Sequence, residues 1–101
     1  MINNLRTYGT GPFTVAVVHG GPGAHGDMAA VAQELSGPHG VLEPLQTAST
    51  PDGQVRELTG ILSANRDLPL TLIGHSWGAL LSFMVTAKDP APVKKNLMIL
   101  Q

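Results

Sequence analysis

The residue best placed for chemistry is Ser76, in the pentapeptide Gly74-His75-Ser76-Trp77-Gly78. An apolar run that predicts a buried strand ends at Gly74, and a run that predicts a helix begins near Ser76. A G-x-S-x-G sequence in that context is typical of a nucleophilic serine on a sharp turn, where glycines allow two backbones to approach closely. The turn directs the N–H of Trp77 toward the space that a reacting oxygen would fill. The pentapeptide therefore predicts acyl transfer.

A second candidate segment is His19-Gly20-Gly21-Pro22-Gly23. It follows residues 13–19, which are apolar or β-branched at nearly every position. Such a run predicts a strand buried on both faces, as in a parallel sheet. The glycines and the proline end that strand and begin a loop.

Helices and strands alternate in the predicted order. Helices are predicted at residues 28–35, 51–65 and 77–88, and strands at 13–19, 41–45, 68–73 and 96–100, with a possible short edge strand at 5–8. Asp27 is the expected cap of the first helix, and Thr50-Pro51-Asp52 is a strong start for the second. The second helix is expected to bury Val55, Leu58 and Leu62. Pro44 places the second main strand at a sheet edge.

This alternation predicts a parallel sheet with crossover helices. Right-handed crossovers give the four main strands the spatial order two-one-three-four, with the first helix on one face and the other two on the opposite face. The loops that follow the first and third strands then meet at the topological switch point, where ligands bind in such folds. His19 and Ser76 are therefore expected to lie close together at the carboxyl ends of these two strands.

Composition narrows the class of protein. The 101 residues predict a single domain spanning 1–101, and 43% of them are hydrophobic. The net charge is −1 and the six Lys and Arg residues are scattered, which argues against a nucleic-acid or membrane surface. There is no cysteine, no secretion signal and no apolar stretch long enough to span a bilayer, so a cytoplasmic protein is expected. No histidine and carboxylate pattern suggests a metal site, and no cofactor is expected.

The two loops together resemble the α/β-hydrolase family. The segment beginning at His19 is similar to the oxyanion-hole motif of its proline-iminopeptidase-like members, and the segment around Ser76 resembles its nucleophile elbow. The resemblance covers about residues 13–101 and matches only the N-terminal half of a family domain. It implies a truncated three-layer α/β/α domain with a mostly parallel sheet of about four strands. It also implies small ester or amide substrates, with Ser76 as nucleophile and the N–H groups of Gly21 and Trp77 as oxyanion donors.

The chain departs from the family after Ser76. The family's catalytic triad runs Ser, then Asp or Glu, then His. The 25 residues that follow Ser76 (101 minus 76) contain one acid, Asp89, and no histidine. A helix rises 1.5 Å per residue, so Asp89 is expected roughly 18 Å from Ser76. Weak or absent hydrolase activity is therefore expected; the alternatives are a non-catalytic fragment or homodimerising module, or a subunit completed by a partner chain.

The remaining histidines and the last strand complete the expectations. His19 is expected to be a hydrogen-bonded scaffold residue, and His75 to pack or to contact ligand. His39 is expected to be exposed, and His25 is the only plausible substitute base within the chain. Trp77 is expected to pack beside the turn. The last strand, an apolar edge, predicts a homodimer through residues 94–101.

Overall fold

The described residues are 4–21, 28–65 and 69–99 of a computed structural model. They form strands and helices that alternate after the first strand. The elements, in chain order, are β1 (Leu5–Tyr8), β2 (Phe13–Val18), α1 (Ala29–Leu35), β3 (Gly40–Pro44), α2 (Pro51–Asn65), β4 (Leu70–His75), α3 (Trp77–Lys88) and β5 (Val93–Ile99). The predicted helices are confirmed in place and number within these ranges. The last strand begins at Val93, three residues before its predicted start.

The sheet has the strand order β1-β3-β2-β4-β5. The strands β3, β2, β4 and β5 are parallel to one another, and β1 pairs antiparallel with β3. The predicted order two-one-three-four is therefore confirmed, and the short strand at residues 5–8 adds a fifth strand at one edge. Val18 pairs with Gly74, so the last residues of β2 and β4 lie side by side.

The prediction that Pro44 marks a sheet edge is wrong, because β1 covers the outer side of β3. Pro44 is the last residue of β3 and pairs with Leu5 of β1. The ladder with β2 has already ended at Leu42, so the missing N–H of the proline interrupts no bond to the central strand. The N–H of Leu45 then donates to the carbonyl of Asn4 at 2.8 Å, so pairing continues past the proline.

Two apolar clusters cover the two faces of the sheet. On one face, α1 packs over a cluster formed by Val15, Val17, Met28, Ala32 and Val41. On the other face, α2 and α3 pack over a larger cluster formed by Ala16, Val18, Leu42, Leu58, Leu62, Leu70, Leu72, Leu81 and Val85. Alternate residues of β2 contribute to opposite clusters, as expected for a strand buried on both faces. The predicted distribution of helices between the faces is confirmed.

The start of α2 follows the predicted capping chemistry. The Oγ1 of Thr50 accepts a hydrogen bond from the N–H of Gly53 at 3.0 Å, and Asp52 lies in the first turn. The cap proposed for α1, Asp27, lies outside the described residues, as do Leu68 and Leu100.

Among the described residues, no helix combines the length and the apolarity that crossing a bilayer requires. Over the same ranges, no cluster of three histidine and carboxylate side chains is arranged to hold a metal ion.

Candidate active site

Ser76 occupies the turn between β4 and α3 in a strained backbone conformation. Its φ is 56° and its ψ is −119°, and it is the one non-glycine residue with positive φ within the described ranges. Such a conformation costs about 1–3 kcal/mol and persists only where the surroundings enforce it. The N–H of Ser76 donates to the carbonyl of Ile99, and the carbonyl of Ser76 accepts from the N–H of Ala79, both at 2.9 Å. The exposed serine is thereby held at the carboxyl edge of the sheet.

The glycines on either side of Ser76 allow close backbone contacts. A Cβ on Gly78 would lie 2.2 Å from the carbonyl oxygen of Val18 and 2.4 Å from that of His19. A Cβ on Gly74 would lie 2.5 Å from the carbonyl oxygen of Gly78. All three distances are far below any real Cβ contact, so glycine is required at both positions. The first turn of α3 is thus packed directly on the end of β2.

The loop that follows β2 lies beside Ser76, as the topology predicts. A Cβ on Gly20 would lie 3.8 Å from the Cβ of Ser76 and 3.6 Å from the carbonyl oxygen of His75. Gly21 is half-buried, and among the described residues no atom lies within 4 Å of the position that an added Cβ would take. Pro22, Gly23 and His25 lie outside the described residues. The structure therefore places the start of the loop after β2, at Gly20, against the turn that carries Ser76.

His19 is confirmed as a buried, hydrogen-bonded scaffold residue. Its side chain is fully buried. Its Nδ1 donates to the carbonyl of Gly20 at 2.7 Å, and its Nε2 accepts from the N–H of Gln46 at 2.9 Å. This assigns the neutral tautomer with the proton on Nδ1, because a carbonyl only accepts and an amide N–H only donates. The side-chain amide of Gln46 also donates to the carbonyl of His19, at 2.7 Å.

Trp77 packs against the larger apolar cluster and is held by a second glutamine. Its Nε1 donates to the Oε1 of Gln54 at 2.7 Å, and the Nε2 of Gln54 donates to the carbonyl of Ala48 at 3.1 Å. Gln54 is a buried residue on α2, 7% exposed. His75, the residue before Ser76, is half-buried at the end of β4.

The sequence did not single out either glutamine. Gln54 is spaced four and eight residues before the buried Leu58 and Leu62, so its position on the apolar stripe of α2 was a usable signal. The predicted stripe of Val55, Leu58 and Leu62 is confirmed at the two leucines, whereas Val55 is only half-buried. Gln46 follows β3 with no periodic signal, so its role depends on tertiary contacts alone.

The segment between β3 and α2 is held by Glu57. One carboxylate oxygen of Glu57 accepts from the N–H of Thr47 at 2.9 Å and from that of Ala48 at 3.2 Å, and the other accepts from the Thr47 hydroxyl. Burial acts to raise the pKa of Glu57, but hydrogen bonds from Thr47, Ala48 and Asn4 stabilise the carboxylate and lower its pKa overall. The same segment carries Gln46 and leads into Gln54.

One carboxylate, that of Glu43, is fully buried on the sheet. The hydroxyl of Tyr8 donates to it at 2.6 Å, and this bond raises the pKa of the Tyr8 phenol. The guanidinium of Arg6 lies 4.0 Å from the same oxygen. Arg6 pairs with Glu43 across β1 and β3, so this cluster stabilises the added edge strand.

The other candidate partners of Ser76 lie elsewhere. Asp89 follows the last residue of α3, and its N–H donates to the carbonyl of Val85 at 2.9 Å. The twelve residues of α3 put it about 18 Å along the helix axis from Ser76, as expected. His39 is exposed and immediately precedes β3, so it lies at the amino edge of the sheet, opposite the serine.

Comparison of the sequence with protein-family models finds no match, and comparison with curated proteins finds none. Solved structures do match. A thioesterase domain from the curacin biosynthetic pathway superposes with a TM-score of 0.81 at 21% identity, over 91% of this chain and 38% of that one. The epoxide hydrolase VrEH1 from Vigna radiata gives 0.77 at 18% identity, over 95% of this chain and 35% of that one. A marine microorganism esterase gives 0.72 at 24% identity, over 95% and 40%.

These similarities show the fold. The chain has the α/β-hydrolase fold, with a mostly parallel sheet between helices on its two faces. It spans between about a third and two fifths of the length of the solved structures just described.

Proposed function

We propose that this chain carries the nucleophile and the oxyanion-binding groups of a serine hydrolase that acts on small esters or amides. The observation that carries the proposal is the strained φ of 56° at Ser76, between a buried strand and a helix. Strain of this kind persists where the fold enforces it and is concentrated at functional sites. The two motifs also support the finer assignment, made from sequence, to the proline-iminopeptidase-like members of the fold.

In the proposed reaction, the Oγ of Ser76 attacks the carbonyl carbon of the substrate and its proton passes to solvent. The carbonyl oxygen becomes an oxyanion, stabilised by the N–H groups of Trp77 and Gly21. The C–O or C–N bond then breaks, the leaving group takes a proton, and water hydrolyses the acyl-Ser76 ester. The position of Gly20 beside Ser76 supports the participation of Gly21.

Two of the described histidines, His19 and His39, offer little to activate Ser76. Both ring nitrogens of His19 are occupied within the scaffold, and His39 lies at the opposite edge of the sheet. An unassisted serine is weakly nucleophilic, and loss of a triad leaves about 10³-fold catalysis over water. We therefore expect activated esters to be hydrolysed at about that residual level.

Covalent labelling tests this proposal directly. A fluorophosphonate probe should modify Ser76, because its phosphoryl oxygen takes the oxyanion position. Mass spectrometry locates the adduct. Ser76→Ala should abolish labelling and Ser49→Ala, at an exposed serine outside the site, should leave it unchanged. Labelling that is absent, or spread evenly over exposed serines, would overturn the proposal.

The exposed outer strand supports a second proposal, that two copies of the chain associate through β5. This strand has a neighbour on one side only, within the described residues, and its side chains Leu97, Met98 and Ile99 are 45%, 51% and 38% exposed. An apolar edge of this kind is a template for strand pairing. Antiparallel pairing about a two-fold axis keeps the exposed Lys94 and Lys95 of each copy apart, whereas parallel pairing would place like charges together.

Sedimentation across a concentration series tests the association. The wild-type chain should form a dimer, Leu97→Lys should be monomeric, and Leu80→Lys, at a 55% exposed leucine on α3, should remain dimeric. A wild-type chain that is monomeric at high micromolar concentration overturns the proposal. In that case a partner chain completing the sheet becomes the leading alternative.

A further inference from the structure

The loop after β2 reaches Ser76 through two consecutive glycines, Gly20 and Gly21. Glycine has no side chain to restrict its backbone, and two in succession leave the intervening peptide plane free to rotate. An amide that stabilises an oxyanion must instead be preorganised. The bonds that hold these peptide planes therefore decide whether the Gly21 amide is available.

Two successive peptide planes of this loop are held by hydrogen bonds. The carbonyl of His19 accepts from the side-chain amide of Gln46 at 2.7 Å, which fixes the plane between residues 19 and 20. The carbonyl of Gly20 accepts from the Nδ1 of His19 at 2.7 Å, which fixes the next plane. The C=O and N–H of one trans peptide point in opposite directions, so fixing the carbonyl of Gly20 also fixes the N–H of Gly21.

Gln46 controls both bonds. Its side chain holds the His19 carbonyl, and its own N–H, 2.9 Å from the Nε2 of His19, leaves the ring proton on Nδ1. That proton is the one donated to Gly20. Gln46 is 9% exposed and His19 is fully buried, so water does not readily replace these bonds.

We propose that Gln46 is a positioning residue that orients the Gly21 amide through His19. The effect on reactivity rests on the proposed function, whereas the effect on the loop does not. Gln46 comes from the segment after β3, which neither sequence motif includes. The geometry of the oxyanion-binding groups is thus set by a third segment of the chain.

The variant Gln46→Met tests the proposal in the full 101-residue chain. Methionine keeps the length of the side chain and the backbone donor, but it removes the bond to the carbonyl of His19. The control, Thr86→Val, also removes side-chain hydrogen bonds, to Ser82 and from Asn96, near the other end of α3. Each variant loses side-chain hydrogen bonding within the folded chain.

Nuclear magnetic resonance gives the first measurement. In wild type the backbone order parameters of Gly20 and Gly21 should be near 0.85. In Gln46→Met the order parameter of Gly20 should fall below about 0.6, because the lost side-chain bond fixes the peptide plane between residues 19 and 20. The order parameter of Gly21 should fall less, because the ring proton of His19 still holds the carbonyl of Gly20. Both order parameters should stay high in Thr86→Val. Long-range nitrogen–proton spectra should show the proton of His19 on Nδ1 in wild type. A Gly20 amide that stays rigid in Gln46→Met, or a wild-type His19 protonated on Nε2, overturns the proposal.

The rate of fluorophosphonate labelling at Ser76 gives the second measurement. We expect a fall of about tenfold in Gln46→Met, less than the 10²–10³-fold that loss of one oxyanion donor costs, because the amide remains present. Thr86→Val should label at the wild-type rate. If wild type does not label at all, the proposed function fails and the order parameters still decide the role of Gln46. Labelling of Gln46→Met at the wild-type rate overturns the link from Gln46 to reactivity.

Discussion

Two regions of the molecule, on either side of Ser76, differ in how well their side chains are packed. Around β2, β3 and β4, backbones touch at Gly78 and buried side chains such as His19 and Gln46 bond to one another. Around β5 and the outer side of α3, five large apolar side chains remain exposed: Leu80, Phe83, Leu97, Met98 and Ile99. Ser76 lies where these two regions meet, and its N–H is bonded to the carbonyl of Ile99 in β5.

The comparison shows that the contacts that hold the two loops are separate from the exposed surface on the other side of Ser76. The region around β2, β3 and β4 holds the turn at Ser76 and the loop at Gly20 and Gly21 through contacts within the described residues. The region around β5 and the outer side of α3 exposes apolar surface, which soluble monomers seldom expose in large patches. The chain thus preorganises one side of the proposed site while leaving apolar surface on the other.

The largest expected effect is at the closest backbone contact. Gly78→Val should leave the chain unfolded, at a cost above about 4 kcal/mol, because the new side chain meets the carbonyl oxygens of Val18 and His19. Urea unfolding followed by circular dichroism measures it. Gly60 lies in α2, and among the described residues no atom lies within 4 Å of the position that an added Cβ would take. Gly60→Ala should therefore raise the free energy of unfolding by up to about 1 kcal/mol. Cooperative unfolding of Gly78→Val near the wild-type midpoint would contradict the close packing.

The next effect compares matched leucines on neighbouring strands. Leu72→Ala should cost about 2–5 kcal/mol, because Leu72 is fully buried on β4. Leu97→Ala on β5, where the side chain is 45% exposed, should change the stability of the monomer by about 0.5 kcal/mol or less. The two are compared by urea unfolding at low concentration. Equal costs would show that the β5 side is as well packed as the centre.

Relief of backbone strain should give a smaller, stabilising effect. Ser76→Gly should raise the free energy of unfolding by about 1–2 kcal/mol, because glycine adopts positive φ without a Cβ clash. Ser63→Gly, at an exposed position within α2, should lose about 0.5–1 kcal/mol. Thermal unfolding of both variants checks the signs. If Ser76→Gly is the less stable of the two, Ser76 is not strained.

The smallest effect is that of pH on the segment between β3 and α2. The pKa of Glu57 is lowered from 4.5, so its stabilising contribution is present above that value and is lost as pH falls through the lower, folded-state pKa. The stability difference between wild type and Glu57→Gln should be under about 1 kcal/mol at neutral pH, given solvent screening. It should shrink further below pH 4.5. A difference that is constant from neutral to acidic pH would contradict this role.

Much of the fold follows from local patterns in the sequence. Apolar runs and helical periodicity located the strands and helices, because burial and backbone hydrogen bonding depend on neighbouring residues. The glycines around Ser76 identified the turn, because few residues allow such close approach. Right-handed crossovers then predicted the order of the four main strands, which the structure confirms.

Only the tertiary structure decided which side chains hold the site and which strand lies at the edge. Gln46 and His19 are 27 residues apart, Trp77 and Gln54 are 23 apart, and Tyr8 and Glu43 are 35 apart. No local pattern specifies such pairs, because each bond depends on where distant elements come together. For the same reason the prediction of a sheet edge at Pro44 is wrong, because β1 lies outside β3. Local chemistry determined the elements and the serine turn, while packing between distant segments determined how that turn is held.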